Sequence, residues 1–294
     1  MNSLLIYNPI AGVDRNRNSQ IGRTVRALAG NGGELTVYQT RYKGDAAEYI
    51  CSKDMSRFDK IICCGGDGTL HEVVNALMRK DIKIPLGYIP QGTTNDYAKN
   101  LGISKKNAIE CVKKGKTVSI DVGLFNDEYF NYVAAFGAFT AVSFATPQKF
   151  KNVLGYCAYL LEGIKSLGNI VPKHIRCQLE DSTIEDDVVI GMVTNALSVG
   201  GFSGLKQQAT KLDDGMMEYL FIKMPQNVTD LQPIITLLTN GKVDDRYMYV
   251  GKTRKLCIQS KPMEWTLDGE NGGSFERVEI EVLSKALNII VGTE

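Results

Sequence analysis

The residue types best suited to chemistry stand in a glycine-rich loop that follows an apolar run. The loop contains Gly65, Gly66, Asp67, Gly68 and Thr69, and residues with helical spacing come directly after it. Glycines permit positive φ and let backbone N–H groups approach a ligand closely. Because the N-terminus of a helix also carries partial positive charge, this loop favours an anion such as a phosphate group.

Two further loops have a similar design. Pro90–Ala98 combines a glycine, hydroxyl groups and amides before a predicted helix, and Asn8–Gly12 follows the first predicted strand. Two helix N-termini at neighbouring strand ends would converge on one polyphosphate. The alternative for each loop alone is an ordinary strand-to-helix turn. Taken together, the three loops predict a nucleotide-binding site.

Two common phosphate-binding motifs do not account for this pattern. The dinucleotide fingerprint needs a third glycine where this chain has His71, and Glu110 replaces the first glycine of a Walker A loop that would end at Lys116. The chain has only two histidines, His71 and His174. Carboxylates are therefore expected to carry any acid–base chemistry.

The elements that must position these loops alternate through the first 120 residues. Strands are predicted at Leu4–Asn8, Glu34–Thr40, Lys60–Cys64 and Ile84–Ile89, and helices at Ser19–Ala29, Asp45–Lys53 and Thr69–Arg79. Repeated β-α-β units with apolar strands predict an α/β fold with a doubly wound parallel sheet. The loops that follow its strands would lie at the carboxyl edge of the sheet, where ligands bind.

A β-rich pattern follows Asp121 and predicts an antiparallel sandwich or half-barrel. The predicted strands are Tyr129–Phe136, Val188–Thr194, Met217–Lys223, Lys255–Ser260 and Arg277–Val282, with helices at about Lys151–Leu167 and Val228–Thr239. A domain boundary is expected near Asp121. The last strand is a candidate to pair back onto the first domain.

The composition is that of an ordinary globular protein, with 44% hydrophobic residues, 23% charged residues and a net charge of +1 over 294 residues. This charge provides no overall attraction for nucleic acid, so no nucleic-acid partner is expected. Seven scattered cysteines and an N-terminus without an export signal favour the reduced cytoplasm. The uncharged stretches Tyr129–Gln148 and Val188–Leu205 contain too many polar residues and glycines for membrane spans and are expected to be buried strands.

The motifs resemble the diacylglycerol kinase catalytic family, in particular its soluble bacterial lipid kinases, over nearly the whole chain. The segments that match in order and spacing are Asn8-Pro9 with Gly12, Gly65–Thr69, Gly92–Ala98, Asp121–Gly123, Asp213–Gly215 and Leu267–Glu270. NAD kinases and phosphofructokinases share the Gly-Gly-Asp-Gly loop, but Gly92–Ala98 and the late Asp-Gly-Glu are typical of the lipid branch. The alternatives are an NAD kinase-like enzyme with a soluble acceptor and a nucleotide-binding membrane module without catalysis.

The resemblance implies an ATP-binding domain over residues 1–121 and a β-sandwich lipid-substrate domain over residues 122–294. It further implies ATP- and Mg²⁺-dependent transfer of the γ-phosphate to the hydroxyl of diacylglycerol or a related lipid alcohol, between the two domains. The cofactor-binding residues that it implies are Asn8, Pro9, Gly12, Thr40, Gly65, Gly66, Asp67, Gly68, Thr69, Leu70, His71, Thr93, Asn95 and Asp96.

The same resemblance assigns the catalytic carboxylate to Asp268 or Glu270. By spacing alone, the Asp-Gly pair at this position is typical of a hairpin turn. Active-site Mg²⁺ is expected near Asp67, Asp96 and Asp121, either as direct ligands or as part of a charged network.

A structural Mg²⁺ is implied at Asp214, with the backbone carbonyl groups of Lys211 and Met216 as further oxygen ligands. Just upstream the chain departs from the family, because Lys206-Gln207-Gln208-Ala209 stands where relatives usually carry Ala-Pro.

Two segments favour transient contact with an anionic membrane. Lys99–Lys116 contains six lysines and one acidic residue, and Phe150–Ile170 combines lysines with aromatic and aliphatic residues. The alternatives are a solvated helix face and a core helix. The expected partners are a lipid substrate, the membrane surface and a second copy of the chain in a homodimer, and the expected location is the cytoplasm with peripheral membrane association.

Overall fold

The structure is a computed structural model, and it describes residues 1–12, 17–30, 33–92, 95–137, 171–195, 211–240 and 242–292. The chain divides into two compact units. The first contains Met1–Ile120 and Lys285–Glu294, and the second contains Asp121–Ser284. The C-terminal ten residues thus belong to the first unit rather than to the β-rich one.

The first unit alternates strands and helices. Its elements are β1 (Ser3–Tyr7), α1 (Arg17–Ala29), β2 (Leu35–Gln39), α2 (Asp45–Ser52), β3 (Lys60–Gly65), α3 (Asp67–Arg79), β4 (Leu86–Pro90), α4 (Asp96–Asn100) and α5 (Ala108–Lys114), followed by the start of β5 (Lys116–Phe125). Every strand and helix predicted for the first 120 residues is confirmed, with ends that differ by two residues at most.

The strands of this unit form a parallel sheet in the order β2-β1-β3-β4, with the end of β13 (Glu270–Val291) beside β4. Ile6 pairs with Cys63, Cys63 with Tyr88, and Leu86 with Ile289. The central strands β3 and β4 are almost entirely buried. Because the strands are parallel, the loops that follow β1, β2, β3 and β4 all emerge at the same edge.

Helix α3 begins at Asp67, two residues earlier than the apolar spacing predicts. Gly66 precedes it in an extended conformation, with φ of −87° and ψ of −176°. Asp67 and Gly68 carry no apolar side chain, so the periodicity could not include them. The Asp67 carboxylate in the first turn complements the helix dipole.

The second unit is mostly antiparallel. It contains the end of β5, β6 (Glu128–Phe130), β7 (Val133–Gly137), β8 (Lys173–Gln178), β9 (Thr183–Thr194), β10 (Met217–Lys223), a 3₁₀ turn (Val228–Asp230), α6 (Leu231–Asn240), β11 (Met248–Thr253), β12 (Lys255–Leu267) and most of β13. The described parts of the two uncharged stretches form strands, as expected. The helix predicted at about Lys151–Leu167 lies outside the described residues.

The β-rich run predicted at Tyr129–Phe136 forms two strands, β6 and β7, with a break between them. At the break, the backbone N–H groups of Asn131 and Tyr132 donate to the carboxylate of Asp268, at 2.9 and 2.8 Å, instead of to a neighbouring strand. A side chain far along the chain thus interrupts the strand.

Strands of the second unit pair in the order β11-β10-β9-β7-β12-β13, and β8 also pairs with β9 and β12. Their inward side chains share one core around the buried Trp265, whose ring lies 5.0 Å from that of Phe125 and 4.7 Å from that of Phe136. The antiparallel pairing is as predicted, and a separation into two stacked sheets stays a prediction. In the described part of the chain, no helix is long and apolar enough to cross a membrane.

Candidate active site

Asn8, directly after β1, joins the first loop to the glycine-rich loop after β3. Its side-chain Nδ2 donates to the hydroxyl of Thr69 at 2.8 Å, and its Oδ1 accepts the backbone N–H of Ile10 at 3.0 Å. The backbone N–H of Asn8 donates to the carbonyl of Cys64 at 2.9 Å. Asn8 therefore fixes both its own turn and the start of α3.

Glycines let the backbones of three loops touch. Gly12 has φ of +81°, and a Cβ there would collide with the backbone carbonyl oxygen of Gln91. A Cβ on Gly92 would lie 2.9 Å from Cα of Gly66. The backbone N–H of Gln91 also donates to the carbonyl of Gly65 at 2.7 Å. Larger residues at Gly12 or Gly92 would push the loops apart.

Tyr88 of β4 is fully buried and contacts both the glycine-rich loop after β3 and the loop after β4. Its hydroxyl lies 3.4 Å from Oδ1 of Asp67 and 3.4 Å from Oδ1 of Asn95. Burial raises the pKa of the Tyr88 phenol far above its usual range. Asn95, with φ of 48°, donates from Nδ2 to the carbonyl of Gly92 at 2.6 Å.

Among the loops after β1, β3 and β4, the start of α3 is the part best suited to bind phosphate oxygens. The first N–H groups of an α-helix have no acceptor within the helix, and here they follow Gly65 and Gly66, which add no side chain. Thr69 in the first turn is 6% exposed, and its hydroxyl is held by Asn8. The local geometry is therefore that of an anion site at a helix N-terminus.

The loop after β2 is fixed by hydrogen bonds to β1 and α3 and by a carboxylate of its own, Asp45. Thr40 is buried, and its backbone N–H donates to the carbonyl of Tyr7 at 2.9 Å. Asp45 accepts from the guanidinium of Arg41 at 3.1 Å and from its backbone N–H at 2.7 Å. Hydrogen bonds from the Arg41 side chain lower the pKa of Asp45 to about 2. Glu72 accepts the backbone N–H of Gly44 at 2.8 Å.

The structure thus brings together most of the residues assigned to the nucleotide, with Leu70 and His71 as exceptions. Leu70 and His71 are 1% and 7% exposed on the inner face of α3, where Nε2 of His71 lies 3.3 Å from Nδ2 of Asn75. These two side chains pack inside the unit.

Thr93 lies outside the described residues, and Asp96 opens α4 with only its backbone described. Pro9 lies in the turn between Asn8 and Ile10.

Asp268 lies in the second unit, in the two-residue turn between β12 and β13. Asp268 and Gly269 have φ of 52° and 87°, as a tight hairpin of this length requires. The Asp268 carboxylate accepts four hydrogen bonds at 2.8 to 3.3 Å, three of them from backbone N–H groups and one from the Asn131 side chain. Each of its two oxygens takes two of these bonds. Its backbone N–H donates to the carbonyl of Val133 at 2.8 Å.

Glu270 is the first residue of β13, opposite Leu267 in the register, and it is half-buried. Asp121, assigned with Asp67 and Asp96 to the surroundings of the active-site Mg²⁺, is fully buried in the second unit. Its Oδ2 accepts the backbone N–H of Gly215 at 2.6 Å. Asp121 therefore binds the loop that contains Asp214.

Both carboxylate oxygens of Asp214, the side chain that the resemblance implies as a Mg²⁺ ligand, contact protein groups. Oδ1 of Asp214 accepts the backbone N–H of Met216 at 3.1 Å, and Oδ2 lies 3.0 Å from Nζ of Lys252. The same ammonium lies 3.1 Å from Glu218. Among the described residues, no three His, Cys, Asp or Glu side chains are grouped to hold a metal ion. The Lys211 and Met216 positions belong to this loop.

Sequence reasoning missed several residues that shape these loops. They are Tyr88, Glu72 and Gln91 in the first unit and Asn131 and Lys252 in the second. Gln91 stands inside the predicted loop Pro90–Ala98, so sequence analysis alone could have identified it. Each of the other four contacts at least one residue 21 or more positions away, and local spacing does not report such contacts.

Comparisons with known proteins agree with these observations. The family model described as "Diacylglycerol kinase catalytic domain" matches residues 2–125. A diacylglycerol kinase of Bacillus subtilis is 32% identical over 274 residues, which are 92% of this chain and 89% of the relative. One from Staphylococcus aureus is 30% identical over 298 residues, 99% of this chain and 94% of the relative.

Solved structures extend the likeness to the fold. A crystal structure of a diacylglycerol kinase from Bacillus anthracis has a TM-score of 0.76 at 25% identity and covers 99% of this chain and 97% of its own. A second crystal structure from the same organism reaches a TM-score of 0.83 at 26% identity, with the same coverage. Since both the sequence likeness and the fold likeness span nearly the whole of each chain, this chain belongs to the diacylglycerol kinase family.

Proposed function

We propose that this chain is a lipid kinase that transfers the γ-phosphate of ATP to the hydroxyl of diacylglycerol or a related lipid alcohol. Relatives of similar length are named diacylglycerol kinases. The observation that carries the proposal is the junction of loops in the first unit, where Asn8 bonds Thr69 and Gly66 touches Gly92. This junction places several backbone N–H groups and a helix N-terminus at one edge of a parallel sheet, as a triphosphate requires.

The loops of the first unit supply positioning rather than covalent chemistry. Phosphoryl transfer depends on holding the donor and acceptor in line and on stabilising phosphate charge. The start of α3 would hold phosphate oxygens, and Thr40 would lie near the nucleotide. Mg²⁺, when bound with ATP, neutralises charge on the phosphates, and Asp67 and Asp96 are the carboxylates of this unit that would hold it.

The reaction also needs a group that accepts the proton of the attacking hydroxyl, and the two candidates are Asp268 and Glu270. Both carboxylate oxygens of Asp268 are engaged by N–H groups of the segment Asn131–Val133. A carboxylate whose two oxygens are both directed at backbone N–H groups orients that backbone segment. We therefore assign the proton-accepting role to Glu270 and a positioning role to Asp268.

In this assignment the acceptor oxygen attacks the γ-phosphorus as its proton passes to Glu270. The bond between the γ-phosphorus and the bridging oxygen breaks, and ADP leaves with that oxygen. Asp268 keeps Asn131, Tyr132 and Val133 in place during the reaction. General-base assistance of this kind contributes roughly 10²- to 10⁴-fold to the rate.

A lipid acceptor requires contact with a membrane, and exposed lysines support that contact. Lys99, Lys105 and Lys106 are exposed, whereas Lys114 pairs with Glu110 at 3.1 Å. Exposed lysines attract anionic headgroups. The segment 150–170, which also favours membrane contact, lies outside the described residues. Peripheral membrane association in the cytoplasm, and a homodimer, stay predictions.

The proposal is tested with γ-labelled ATP and Mg²⁺ against a panel of acceptors. Diacylglycerol, undecaprenol and a sphingoid base are presented in mixed micelles, and NAD is offered in solution. We expect the label to move into the organic phase with one of the lipids and not into NAD. Transfer to NAD with no labelled lipid would overturn the proposal, and a Glu270→Gln preparation controls for contaminating kinases.

A further inference from the structure

Lys252 lies on β11, directly opposite Glu218 of β10 in the antiparallel register. Its ammonium lies 3.1 Å from Oε1 of Glu218 and 3.0 Å from Oδ2 of Asp214, so it bridges two carboxylates. The side chain of Glu218 is only 3% exposed and that of Lys252 is 17% exposed. At this depth, the carboxylates and the ammonium depend on one another, because an unpaired buried charge is costly.

The loop before β10 is also held from its other side, by Asp121. Asp121 accepts the backbone N–H of Gly215 at 2.6 Å and donates its own N–H to the carbonyl of Leu212 at 2.7 Å. Gly215 has φ of 73°, which favours glycine. Within the loop, Asp214 accepts the N–H of Met216 at 3.1 Å. These hydrogen bonds, all between protein groups, hold the loop in its conformation.

We propose that the Lys252 ammonium is the permanent cation of the Asp214 loop and that this loop binds no structural Mg²⁺, contrary to what the family resemblance implies. Mg²⁺ demands near-octahedral oxygen ligands at about 2.1 Å. An ion bound to Asp214 at that distance would share the carboxylate with an ammonium 3.0 Å from Oδ2. The two cations would repel each other across one carboxylate, so binding of Mg²⁺ would require displacement of Lys252 from both Asp214 and Glu218.

The test is the thermal unfolding midpoint of the nucleotide-free protein in EDTA and in millimolar MgCl₂. The wild-type midpoint is expected not to shift with Mg²⁺. If it shifts because Mg²⁺ binds elsewhere, Asp214→Asn should show the same shift. Lys252→Met should lower the midpoint in EDTA by about 5–10 °C, since it leaves two carboxylates without their cation. Mg²⁺ should then restore part of that loss. Lys255→Met is the matched control, because Lys255 is exposed and lies 3.6 Å from Glu279, and it should behave as wild type.

A Mg²⁺-dependent rise in the wild-type midpoint that Asp214→Asn abolishes would overturn the proposal. A second measurement does not depend on the folding of Lys252→Met. Mn²⁺ binding to nucleotide-free wild type and to Asp214→Asn is compared by electron paramagnetic resonance, and equal binding is expected. One Mn²⁺ per chain that Asp214→Asn loses would contradict the proposal. Because neither readout uses phosphoryl transfer, the outcome is independent of the proposed kinase activity.

Discussion

The two units of this molecule use aspartate and glycine at strand ends for opposite purposes. In the first unit, Gly12 and Gly66 let neighbouring loops approach until their backbones touch, beside a helix N-terminus. In the second, the hairpin of Asp268 and Gly269 turns a carboxylate back onto three backbone N–H groups. The same residue types therefore lie beside a helix N-terminus in one unit and supply a carboxylate for internal hydrogen bonds in the other.

This difference separates the functions of residues that look alike in the sequence. The parallel sheet collects loops at one edge and leaves donors for a ligand. In the antiparallel unit, the hydrogen bonds that Asp268 accepts are the basis for the different roles we propose for Asp268 and Glu270. In our proposal, Asp268, whose oxygens are bound by backbone N–H groups, holds the segment Asn131–Val133, and the half-buried Glu270 carries the acid–base chemistry.

The largest effect is expected from Glu270→Gln, which tests the assignment within the second unit. The substitution preserves shape and removes the proton acceptor, so kcat for phosphoryl transfer should fall by about 10²- to 10⁴-fold. Nucleotide binding should not change. Glu276→Gln, at an exposed position on the same strand, is the control and should retain wild-type turnover. Wild-type turnover in Glu270→Gln would remove this residue from the mechanism.

The next effect concerns the loop contacts of the first unit. Gly12→Ala places a Cβ against the carbonyl of Gln91, whereas Gly102→Ala meets no atom within 4 Å although Gly102 also has positive φ, at 66°. Both variants carry backbone strain, and only the first displaces a loop of the site. We expect KM for ATP to rise about 10- to 100-fold in Gly12→Ala, which corresponds to roughly 1–3 kcal/mol. Gly102→Ala should keep the wild-type KM; an equal rise in both variants would contradict the role of the Gly12 contact.

A smaller change is expected from Asn8→Ala, which removes the hydrogen bond to Thr69 at 2.8 Å. One such bond contributes about 1 kcal/mol, so KM for ATP should rise about 5-fold. Asn288→Ala is the control, since Asn288 bonds the Lys83 carbonyl and the Ser119 hydroxyl, each at 2.7 Å, without contacting the loops. Steady-state kinetics at saturating lipid acceptor compare the two variants. An unchanged KM in Asn8→Ala would show that Thr69 needs no support from Asn8.

The smallest effect is a dependence of stability on acid. Hydrogen bonds from Arg41 hold the pKa of Asp45 at about 2, below its ordinary 3.8. A lowered pKa in the folded state contributes stability that is complete above about pH 4 and disappears as the pH falls toward 2. The difference in unfolding midpoint between wild type and Asp45→Asn should therefore be constant above pH 4 and shrink below it. Thermal unfolding across this range measures it, and a difference that grows on acidification would contradict the pairing.

The sequence predicts the first unit well and the second only in part, for a physical reason. Strands such as Lys60–Gly65 and helices such as Asp67–Arg79 carry their pattern locally. The break before Val133 depends on Asp268, 135 residues away, and the bridge of Lys252 to Asp214 spans 38 residues. Glycine-rich loops that suggest a phosphate site can be recognised in the sequence itself. The hydrogen-bond donors around a carboxylate come from distant residues, which only the fold brings together.

The most direct test of the two carboxylate roles is kcat measured against pH for wild type, Asp268→Asn and Glu270→Gln. Wild type should lose activity at acidic pH as its proton acceptor becomes protonated. Asp268→Asn should have lower turnover with the same acidic limb, because it disturbs positioning and leaves the acceptor in place. Glu270→Gln should lose the acidic limb and retain only a low, pH-independent rate. If Glu270→Gln keeps the acidic limb and Asp268→Asn loses it, Asp268 is the proton acceptor and the assignment is wrong.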